Sequence, residues 1–142
     1  MKRELRGGYE FDDDPARIDV DAVHDFLANN SYWAKGRPRD TVERHVREAQ
    51  RLCGLYHGGR LVGYTRTVSD GVAFAYLADV YVLPEHRGRG LGLELVRFTV
   101  EDGPYAAIKW LLHTTDMHPL YRKLGFGEPS ALVMERAARP GT

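Results

Sequence analysis

Residues 80–95 read V-Y-V-L-P-E-H-R-G-R-G-L-G-L-E-L: an apolar strand, a proline break, a basic glycine-rich turn and then a helix. Glycine at three alternate positions of the turn, Gly88, Gly90 and Gly92, lets the backbone approach a ligand without interference from a Cβ atom. The N–H groups of such a turn, the positive end of the helix and the side chains of Arg87 and Arg89 all attract negative charge. The stretch therefore predicts an anion-binding turn, and a pyrophosphate fits it well.

Two better-known phosphate-binding motifs do not match this turn. The dinucleotide fingerprint needs G-x-G-x-x-G with an acidic residue ~20 positions further on, and the P-loop needs four residues between its glycines followed by G-K-[ST]. A simpler interpretation is a strand-to-helix turn that uses glycine only for tightness. The strand, the proline, the two arginines and the helix together favour the binding interpretation.

The composition favours one compact domain over residues 1–142, because 43% of the 142 residues are hydrophobic. Twenty acidic and twenty basic residues balance, so the chain lacks the bulk positive charge that holds proteins on nucleic acids or anionic membranes. The N-terminus has no apolar signal-peptide core, and no apolar run approaches the ~20 residues that span a bilayer. We expect a cytoplasmic domain that binds neither nucleic acid nor membrane.

Metal binding and thiol chemistry are not expected. Cys53 is the only cysteine, which excludes an internal disulfide and a multi-cysteine metal site, and its apolar strand position is typical of a buried, unreactive thiol. His113 and His118 have H-x₄-H spacing without an accompanying carboxylate pattern, which is a weak metal signal. Asp116 precedes a short helix and is interpreted as its N-cap.

The N-terminal part of the chain predicts one strand and two helices. The segment Y-E-F-D-D-D-P indicates an edge strand followed by a loop. A helix then begins at Asp19 or Asp21 and ends at N-N-S. Its apolar face consists of Val20, Val23, Phe26 and Leu27. A second, amphipathic helix starts in R-P-R-D-T with an Asp or Thr cap.

The rest of the chain predicts a sheet with two more helices. L-C-G-L-Y and L-V-G-Y-T-R-T-V are antiparallel strands, and V-A-F-A-Y-L-A-D-V-Y-V is a central strand because it is apolar on both faces. A helix follows from about Leu91 to Glu101. A-A-I-K-W-L-L-H-T-T is a further strand, H-P-L-Y-R-K-L-G-F a short helix, and A-L-V-M-E-R a last strand. The fold class is α+β, a mixed, mostly antiparallel sheet flanked by helices.

Two motifs carry a family resemblance. The turn contains Arg87-x-x-Gly90-x-Gly92, and L-Y-R-K-L-G-F occupies residues 120–126. The first resembles motif A of the GNAT superfamily of N-acetyltransferases, with its core [RQ]-x-x-G-x-[GA], and the second resembles the F/L-Y-x-K-x-G-F ending of motif B. The motifs occur in the expected order, and the predicted elements follow the GNAT plan over about residues 8–136. The resemblance implies the GNAT fold and acetyl-CoA as cosubstrate.

The resemblance also implies which residues hold acetyl-CoA. Amides of residues 88–92 would bind its pyrophosphate, and a strand edge would pair with its pantetheine arm where the strands near Val82 and Leu112 part. The residues assigned to the cofactor in this way are Val80, Tyr81, Val82, Arg87, Gly88, Arg89, Gly90, Leu91 and Gly92. The family more often has asparagine near Thr114 and alanine where Met117 stands, which leaves cofactor contacts from that segment open.

Two residues are candidates for the chemistry. Acetyl transfer needs a neutral amine, and deprotonating an alkyl ammonium of pKa ~10.4 costs roughly 4.6 kcal/mol at pH 7. Asp79 lies in an apolar strand directly before the cofactor segment, where burial would raise its pKa toward that of a general base; alternatively it orients the acceptor or a water relay. The resemblance implies that Tyr121 is the general acid for the leaving thiolate. It also implies that a strand amide near Tyr81 or Val82 donates to the oxyanion.

The acceptor site is expected in the loop between the first two helices, which GNAT proteins use for this purpose. Tyr32 and Trp33 stand out in this polar loop, and they either form a wall of the acceptor pocket or attach the loop to the core. The balanced charge favours a small-molecule primary amine or an amino-acid-like acceptor over a polycation. A non-catalytic acyl-CoA sensor and a phosphate-dependent enzyme of another class stay open, as does a homodimer.

Overall fold

The structure, a computed structural model, describes residues 1–140. Its six strands form one sheet in the order β1-β2-β3-β4-β5-β6, with antiparallel neighbours throughout except for the parallel pair of β5 and β6. The strands are β1 Lys2–Leu5, β2 Tyr9–Asp12, β3 Arg51–His57, β4 Arg60–Ser69, β5 Phe74–Val82 and β6 Lys109–Leu111. The helices are α1 Val20–Asn30, α2 Arg39–Glu48, α3 Leu91–Val100 and α4 His118–Arg122. Short 3₁₀ turns lie at Pro15–Arg17 and Pro84–His86. The expected α+β architecture is confirmed.

Helices α1 and α2 cover one face of the sheet. The Asp19 carboxylate accepts a hydrogen bond from the Ala22 N–H at 3.0 Å and so caps α1 as predicted. Helix α2 begins after Pro38 without a side-chain cap, so the expected Asp or Thr cap is wrong. The reason is that Asp40 lies within the first turn, where its carboxylate faces the helix dipole instead. The core under this face contains Val23, Phe26, Leu27, Val42, Leu52, Tyr64 and Tyr81.

Helix α3 packs on the opposite face and is fixed at its C-terminal end. Its Leu91, Leu95 and Phe98 are buried against the sheet, as the periodicity predicted. The buried Arg51 guanidinium donates to the carbonyl oxygens of Phe98 at 3.2 Å and Thr99 at 2.7 Å. This satisfies carbonyls that a helix end leaves unpaired and places a cation at the negative end of the dipole. The direction of α3, and with it the glycine turn at its start, is therefore set by the core.

The two ends of the sheet differ from the prediction. Strand β1 pairs with β2 through the turn containing Gly7 and Gly8, whereas the sequence predicted no strand before Tyr9. The expected last strand at residues 131–136 is absent from the described chain, and Leu132 and Met134 are 91% and 95% exposed. Ser130 explains this difference, because it accepts the N–H groups of Leu132 and Val133 in a local turn.

Strand β5 carries two irregularities that shape the site. Its pairing with β4 shifts register between Tyr64 and Arg66, so that Thr65 opposes both Asp79 and Val80 in a β-bulge. Its pairing with β6 stops at Tyr76 opposite Leu111, although β5 continues to Val82. Residues 77–82 therefore have a sheet edge without a strand partner, and the two strands part before Val82 and Leu112, as the resemblance implied.

Candidate active site

The glycine turn presents a continuous row of backbone donors. Gly88 and Gly90 have left-handed φ angles of 78° and 75°, and a Cβ atom at either position would meet nothing within 4 Å. Gly90 is the N-cap of α3 and provides no side-chain cap. Within residues 1–140, the backbone N–H groups of residues 88–93 donate to no protein acceptor. Such exposed N–H groups at a helix start form an anion cradle.

Two arginines add positive charge to this turn. Arg87 and Arg89 are both exposed, and neither forms an ion pair within the described part of the chain. The Nε of Arg87 donates to the carbonyl oxygen of Val82 at 2.9 Å, which attaches the turn to the end of β5. The donors, the open space and the two uncompensated charges fit a diphosphate. Residues 87–92 are those that the family resemblance assigned to this role, and the row of free donors extends one residue further, to Leu93.

The unpaired edge of β5 leads from this turn into the molecule. The N–H of Leu83 donates to the carbonyl of Val62 on β4 at 2.8 Å. Because N–H groups alternate between the two edges of a strand, the Tyr81 N–H also points toward β4 and the Val82 N–H points toward the unpaired edge. Of the two amides considered as oxyanion donors, only that of Val82 is thus presented to a ligand. The Tyr81 side chain is buried, with its ring stacked 4.0 Å from that of Phe26.

A cavity of about 610 Å³ opens where β5 and β6 part. It brings together four of the predicted site residues, Asp79, Tyr121, Tyr32 and Trp33, together with Val80 of the cofactor segment. The residues of the glycine turn do not line it, but they adjoin it through β5, since Val80 lines the cavity and Arg87 is bonded to Val82. The other lining residues are Arg37, Arg66, Tyr76, Leu77, Ala78, Leu112, His113, Thr114, Thr115, Asp116, Met117 and His118.

Asp79 is held by three donors at the bulge. It has a φ of 56° and is the one non-glycine residue with positive φ in the described chain, a conformation that aspartate tolerates better than most residues. The Trp33 indole N–H donates to Oδ1 at 3.1 Å, and Arg37 Nη1 and Arg66 Nε each donate to Oδ2 at 2.8 Å. Burial alone would raise the pKa of Asp79, but Arg66 and Arg37 outweigh it and hold the pKa below its usual value. The expected upward shift is therefore wrong.

Tyr121 is buried between α4 and the sheet with its hydroxyl unengaged. Its ring packs among Leu77, Val96 and Val100 and meets the edge of Phe126 at 5.8 Å. No residue between 1 and 140 forms a hydrogen bond with its hydroxyl group, and Tyr121 is one of the residues that line the cavity. Burial raises the pKa of Tyr121 to about 12, with smaller contributions from Tyr32 and Asp116. The hydroxyl group therefore stays protonated near neutrality and is available as a donor.

Tyr32 and Trp33 combine the two roles that the sequence left open. Their rings meet edge to face at 5.1 Å, and both remain partly exposed while lining the cavity. The Tyr32 hydroxyl accepts a hydrogen bond from the Thr115 N–H at 3.3 Å, and Trp33 donates to Asp79. These bonds attach the loop between α1 and α2 to both sides of the cavity, so the same residues anchor the loop and form a wall.

Sequence reasoning missed the two arginines that bind Asp79. Arg37 follows a glycine in a polar loop, and Arg66 lies in the T-R-T segment of β4, where alternation alone does not reveal a functional side chain. The available signal was Asp79 itself, because a carboxylate in an apolar strand needs partners when it is buried. Positively charged residues facing the same side of the sheet were the natural candidates.

The segment between β6 and α4 also departs from expectation. Asp116 does not cap α4, which begins at His118 with Met117 in the N-cap position and no side-chain cap. The hydroxyl oxygen of Thr114 accepts the Met117 N–H at 3.1 Å instead, and Asp116 remains exposed at the cavity rim. Within residues 1–140, no three His, Cys, Asp or Glu side chains are arranged to hold a metal ion. In the same range no helix has the length and apolar character needed to cross a membrane.

Comparisons with known proteins agree with this geometry. Residues 19–126 match the acetyltransferase (GNAT) family. The Gibberella zeae protein FG08082, provisionally named an acetyltransferase, is 33% identical over 84% of this chain and 80% of its own length. A GNAT-family protein from Xanthomonas campestris pv. campestris, also provisionally named an acetyltransferase, superposes with a TM-score of 0.85. It is 34% identical, and the match covers 92% of this chain and 93% of that one. A Deinococcus radiodurans R1 protein, 20% identical over 96% and 94% of the two chains with a TM-score of 0.73, shares the fold. The chain belongs to the GNAT acetyltransferase family and is an acyltransferase.

Proposed function

We propose that this protein transfers the acetyl group of acetyl-CoA to the primary amine of a small, amino-acid-like acceptor by direct attack in a ternary complex. The observation that carries the proposal is the 610 Å³ cavity at the end of the unpaired β5 edge, which contains both Asp79 and Tyr121. Family membership favours catalysis over the alternative of an acyl-CoA sensor. A cavity lined by side chains of opposite charge, with aromatic walls, suits a small polar acceptor.

Acetyl-CoA, when bound, supplies the thioester that is cleaved. The amides of residues 88–93, Arg87 and Arg89 would hold its diphosphate, and the β5 edge from Val80 to Val82 would align its pantetheine arm. The Val82 N–H, directed to that edge, would donate to the carbonyl oxygen as charge develops on it. In the transfer the amine nitrogen would form a bond to the carbonyl carbon and give up one N–H proton to water, and the carbon–sulfur bond would break with its electron pair leaving on sulfur.

Asp79 acts by positioning rather than as the general base. Moving a proton from an ammonium of pKa ~10.4 to a carboxylate of ordinary pKa ~3.9 costs about 9 kcal/mol. Arg66 and Arg37 hold the pKa of Asp79 below its usual value, which makes this transfer still less favourable. Using the small fraction of amine that is already neutral at pH 7 costs only roughly 4.6 kcal/mol of free energy. The amine therefore loses its proton to water before attack. Asp79 fixes Trp33, Arg37 and Arg66 around the acceptor.

Tyr121 assists the departure of sulfur as a hydrogen-bond donor. With a pKa of about 12, complete proton transfer to a thiolate whose acid has pKa ~8.5 costs about 5 kcal/mol. That exceeds the ~2 kcal/mol expected for an unperturbed phenol. A hydrogen bond donated to the developing thiolate does not carry this cost, and the Tyr121 hydroxyl has no other partner in the described chain. The thiolate then takes its proton from water.

The proposal is tested by calorimetric titration with CoA and by release of free thiol from acetyl-CoA in the presence of a panel of primary amines. We expect CoA binding, thiol release only when an amine is present, and an N-acetylated product by mass spectrometry. Binding of CoA without turnover across a broad panel would contradict the transferase assignment and favour the sensor. Absence of CoA binding would contradict the cofactor assignment as well.

A further inference from the structure

The Asp79 cluster carries more positive charge than it neutralises. Arg37 and Arg66 both donate to the same oxygen, Oδ2, of one carboxylate. One negative charge compensates only one of the two guanidinium groups, which leaves a net charge of one positive unit at this point of the cavity wall. The two arginine side chains are only 18% and 14% exposed, so water screens this charge weakly.

Both arginines keep hydrogen-bond donors for a ligand. Arg37 uses Nη1 and Arg66 uses Nε to hold Asp79, and their other guanidinium nitrogens have no acceptor among residues 1–140. Both side chains line the cavity. A guanidinium group presents its donors in a planar fork that matches a carboxylate, and bonds of this kind are charge-assisted. Arg37 and Arg66, here called the arginine wall, are thus already oriented by Asp79 and have free donors for an anion.

The negative charges near the cavity lie elsewhere. Asp116 is at the rim beside Tyr121, and it forms no ion pair in the described chain. Glu135 is bound to His113 at 2.7 Å, and the other ring nitrogen of His113 is bound to the Tyr76 hydroxyl at 2.6 Å. The arginine wall therefore has no competing carboxylate besides Asp79. The cavity is dipolar, with one arginine from the loop between α1 and α2 and one from β4 on one side, and the free carboxylate of Asp116 next to α4 on the other.

We infer that the acceptor is a free amino acid whose carboxylate binds Arg37 and Arg66 while its amine lies toward Tyr121 and Asp116. This inference rests on the proposed acetyl transfer and specifies the acceptor for it. A carboxylate on the arginine wall neutralises the excess charge and uses the free donors. The α-amine shares its carbon with the carboxylate, so it lies beside the arginines and is directed across the cavity toward the hydroxyl group that assists the leaving sulfur. Trp33, bonded to Asp79, lines the same cavity and forms a wall beside the acceptor.

The test compares each proteinogenic L-amino acid with its carboxamide as acceptor. The amide retains the amine and the side chain but loses the negative charge, and its amine is less basic, so more of it is neutral at pH 7. Any preference for the amino acid therefore opposes intrinsic reactivity. We expect kcat/KM for the preferred amino acid to exceed that of its amide by about 100-fold, mainly through KM. Comparison of kcat/KM for phosphoethanolamine and ethanolamine shows in the same way whether a phosphate can replace the carboxylate.

Three variants assign the effect to the arginine wall. Arg66→Gln and Arg37→Gln remove one positive charge each, and we expect either variant to reduce the preference for amino acid over amide at least tenfold while CoA affinity stays within threefold. Arg44→Gln is the matched control, because Arg44 lies on the exposed face of α2 and pairs only with Glu48. It should leave the preference unchanged. CoA titration of every variant shows that the protein is folded.

The outcomes separate this inference from the proposed function. Equal turnover of amino acids and amides would overturn the inference and leave acetyl transfer intact, and a stronger preference for phosphoethanolamine than for any amino acid would overturn the carboxylate assignment. If no acceptor is turned over, calorimetric titration of the CoA-saturated protein with amino acids and with their amides tests the charge recognition separately from transfer. Amino acids that bind while their amides do not would support the charge recognition and refute the transfer, and absence of binding by both would refute the inference.

Discussion

Replacing Gly90 by alanine tests whether the glycine turn binds the diphosphate. A matched glycine elsewhere, Gly59, separates loss of binding from the backbone strain that alanine introduces. Gly90 and Gly59 have nearly the same left-handed φ angles, 75° and 78°, and a Cβ atom at either position would lie in open space. Gly59 belongs to the hairpin between β3 and β4, away from the turn. A left-handed alanine costs about 1–2 kcal/mol, so Gly90→Ala and Gly59→Ala should lower the free energy of unfolding equally. For a domain of this size each Tm should fall by roughly 3–8 °C.

Only one of the two variants should affect the cofactor. A methyl group on Gly90 would occupy open space next to the unpaired N–H groups of residues 88–93, and we expect it to displace a diphosphate from about two charge-assisted hydrogen bonds. Such bonds contribute about 1.5–3 kcal/mol each, so a loss of at least ~3 kcal/mol is expected. The Kd for CoA should then rise about 150-fold in Gly90→Ala and stay unchanged in Gly59→Ala.

Gly92 provides a second control within the turn itself. A Cβ atom there would meet the Cδ1 atom of Leu120 at 3.7 Å, an ordinary contact, and its φ is not left-handed. Motif A accepts alanine at this position. Gly92→Ala should therefore stabilise the protein by about 0.5–1 kcal/mol through helix propensity and keep CoA affinity within threefold.

Calorimetric titration with CoA and denaturant unfolding of the three variants measure both effects. Equal CoA affinity of Gly90→Ala and Gly59→Ala at equal loss of stability would refute diphosphate binding at this turn. Loss of binding in Gly92→Ala would refute the role given to Gly90, because the arrangement of donors around Gly90 would then not be what selects the diphosphate.

Three further results are expected. Tyr121→Phe should lower kcat about 100-fold while the CoA Kd and the free energy of unfolding stay within experimental error, because the lost hydroxyl has no partner in the described chain; unchanged kcat would remove Tyr121 from the mechanism. The logarithm of kcat/KM should rise with a slope of one from pH 6 to the pKa of the acceptor amine, and a plateau near pH 7 would reveal an enzymatic base. Asp79→Asn should cost about 3 kcal/mol at pH 7, since it leaves buried arginines unpaired. The folded-state pKa of Asp79 is depressed, so its stabilisation is present above about pH 4 and is lost as the pH falls through that pKa. The stability difference between wild type and variant should therefore be constant from pH 5 to 8 and shrink below pH 4, and a difference independent of pH down to pH 2 would contradict the assignment.

Local patterns predicted most of the fold. The buried face of α1 and the helix after the glycine turn follow from hydrophobic period, capping and turn residues that lie within a few positions of one another. The strand predicted as central, β5, is paired on both sides only at residues 74–76, because β6 is three residues long. The segment at residues 131–136 has a strand-like pattern as well. There the deciding interaction is the turn at Ser130, which binds the amides that a strand would have needed.

The electrostatics of the site could not be predicted in the same way. Asp79 was recognisable as a buried carboxylate next to the cofactor segment, but the direction of its pKa depends on Arg66, 13 positions away, and Arg37, 42 positions away. Nothing in the sequence near Asp79 shows that these three side chains meet. Burial of a lone carboxylate and burial of one bound by two guanidinium groups shift the pKa in opposite directions.

The unpaired edge of β5 links the stability of this protein to its coenzyme. Backbone amides of residues 77–82 that face this edge should exchange with deuterium faster in the free protein than those facing β4. If acetyl-CoA aligns along this edge as we propose, it supplies the missing partner, and these amides should become protected. At a coenzyme concentration one hundred times Kd, mass action alone adds about 2.7 kcal/mol to stability. If the coenzyme binds as proposed, a cell that depletes its acyl-CoA pool would thus lower the resistance of this protein to unfolding and to proteolysis of the unfolded chain.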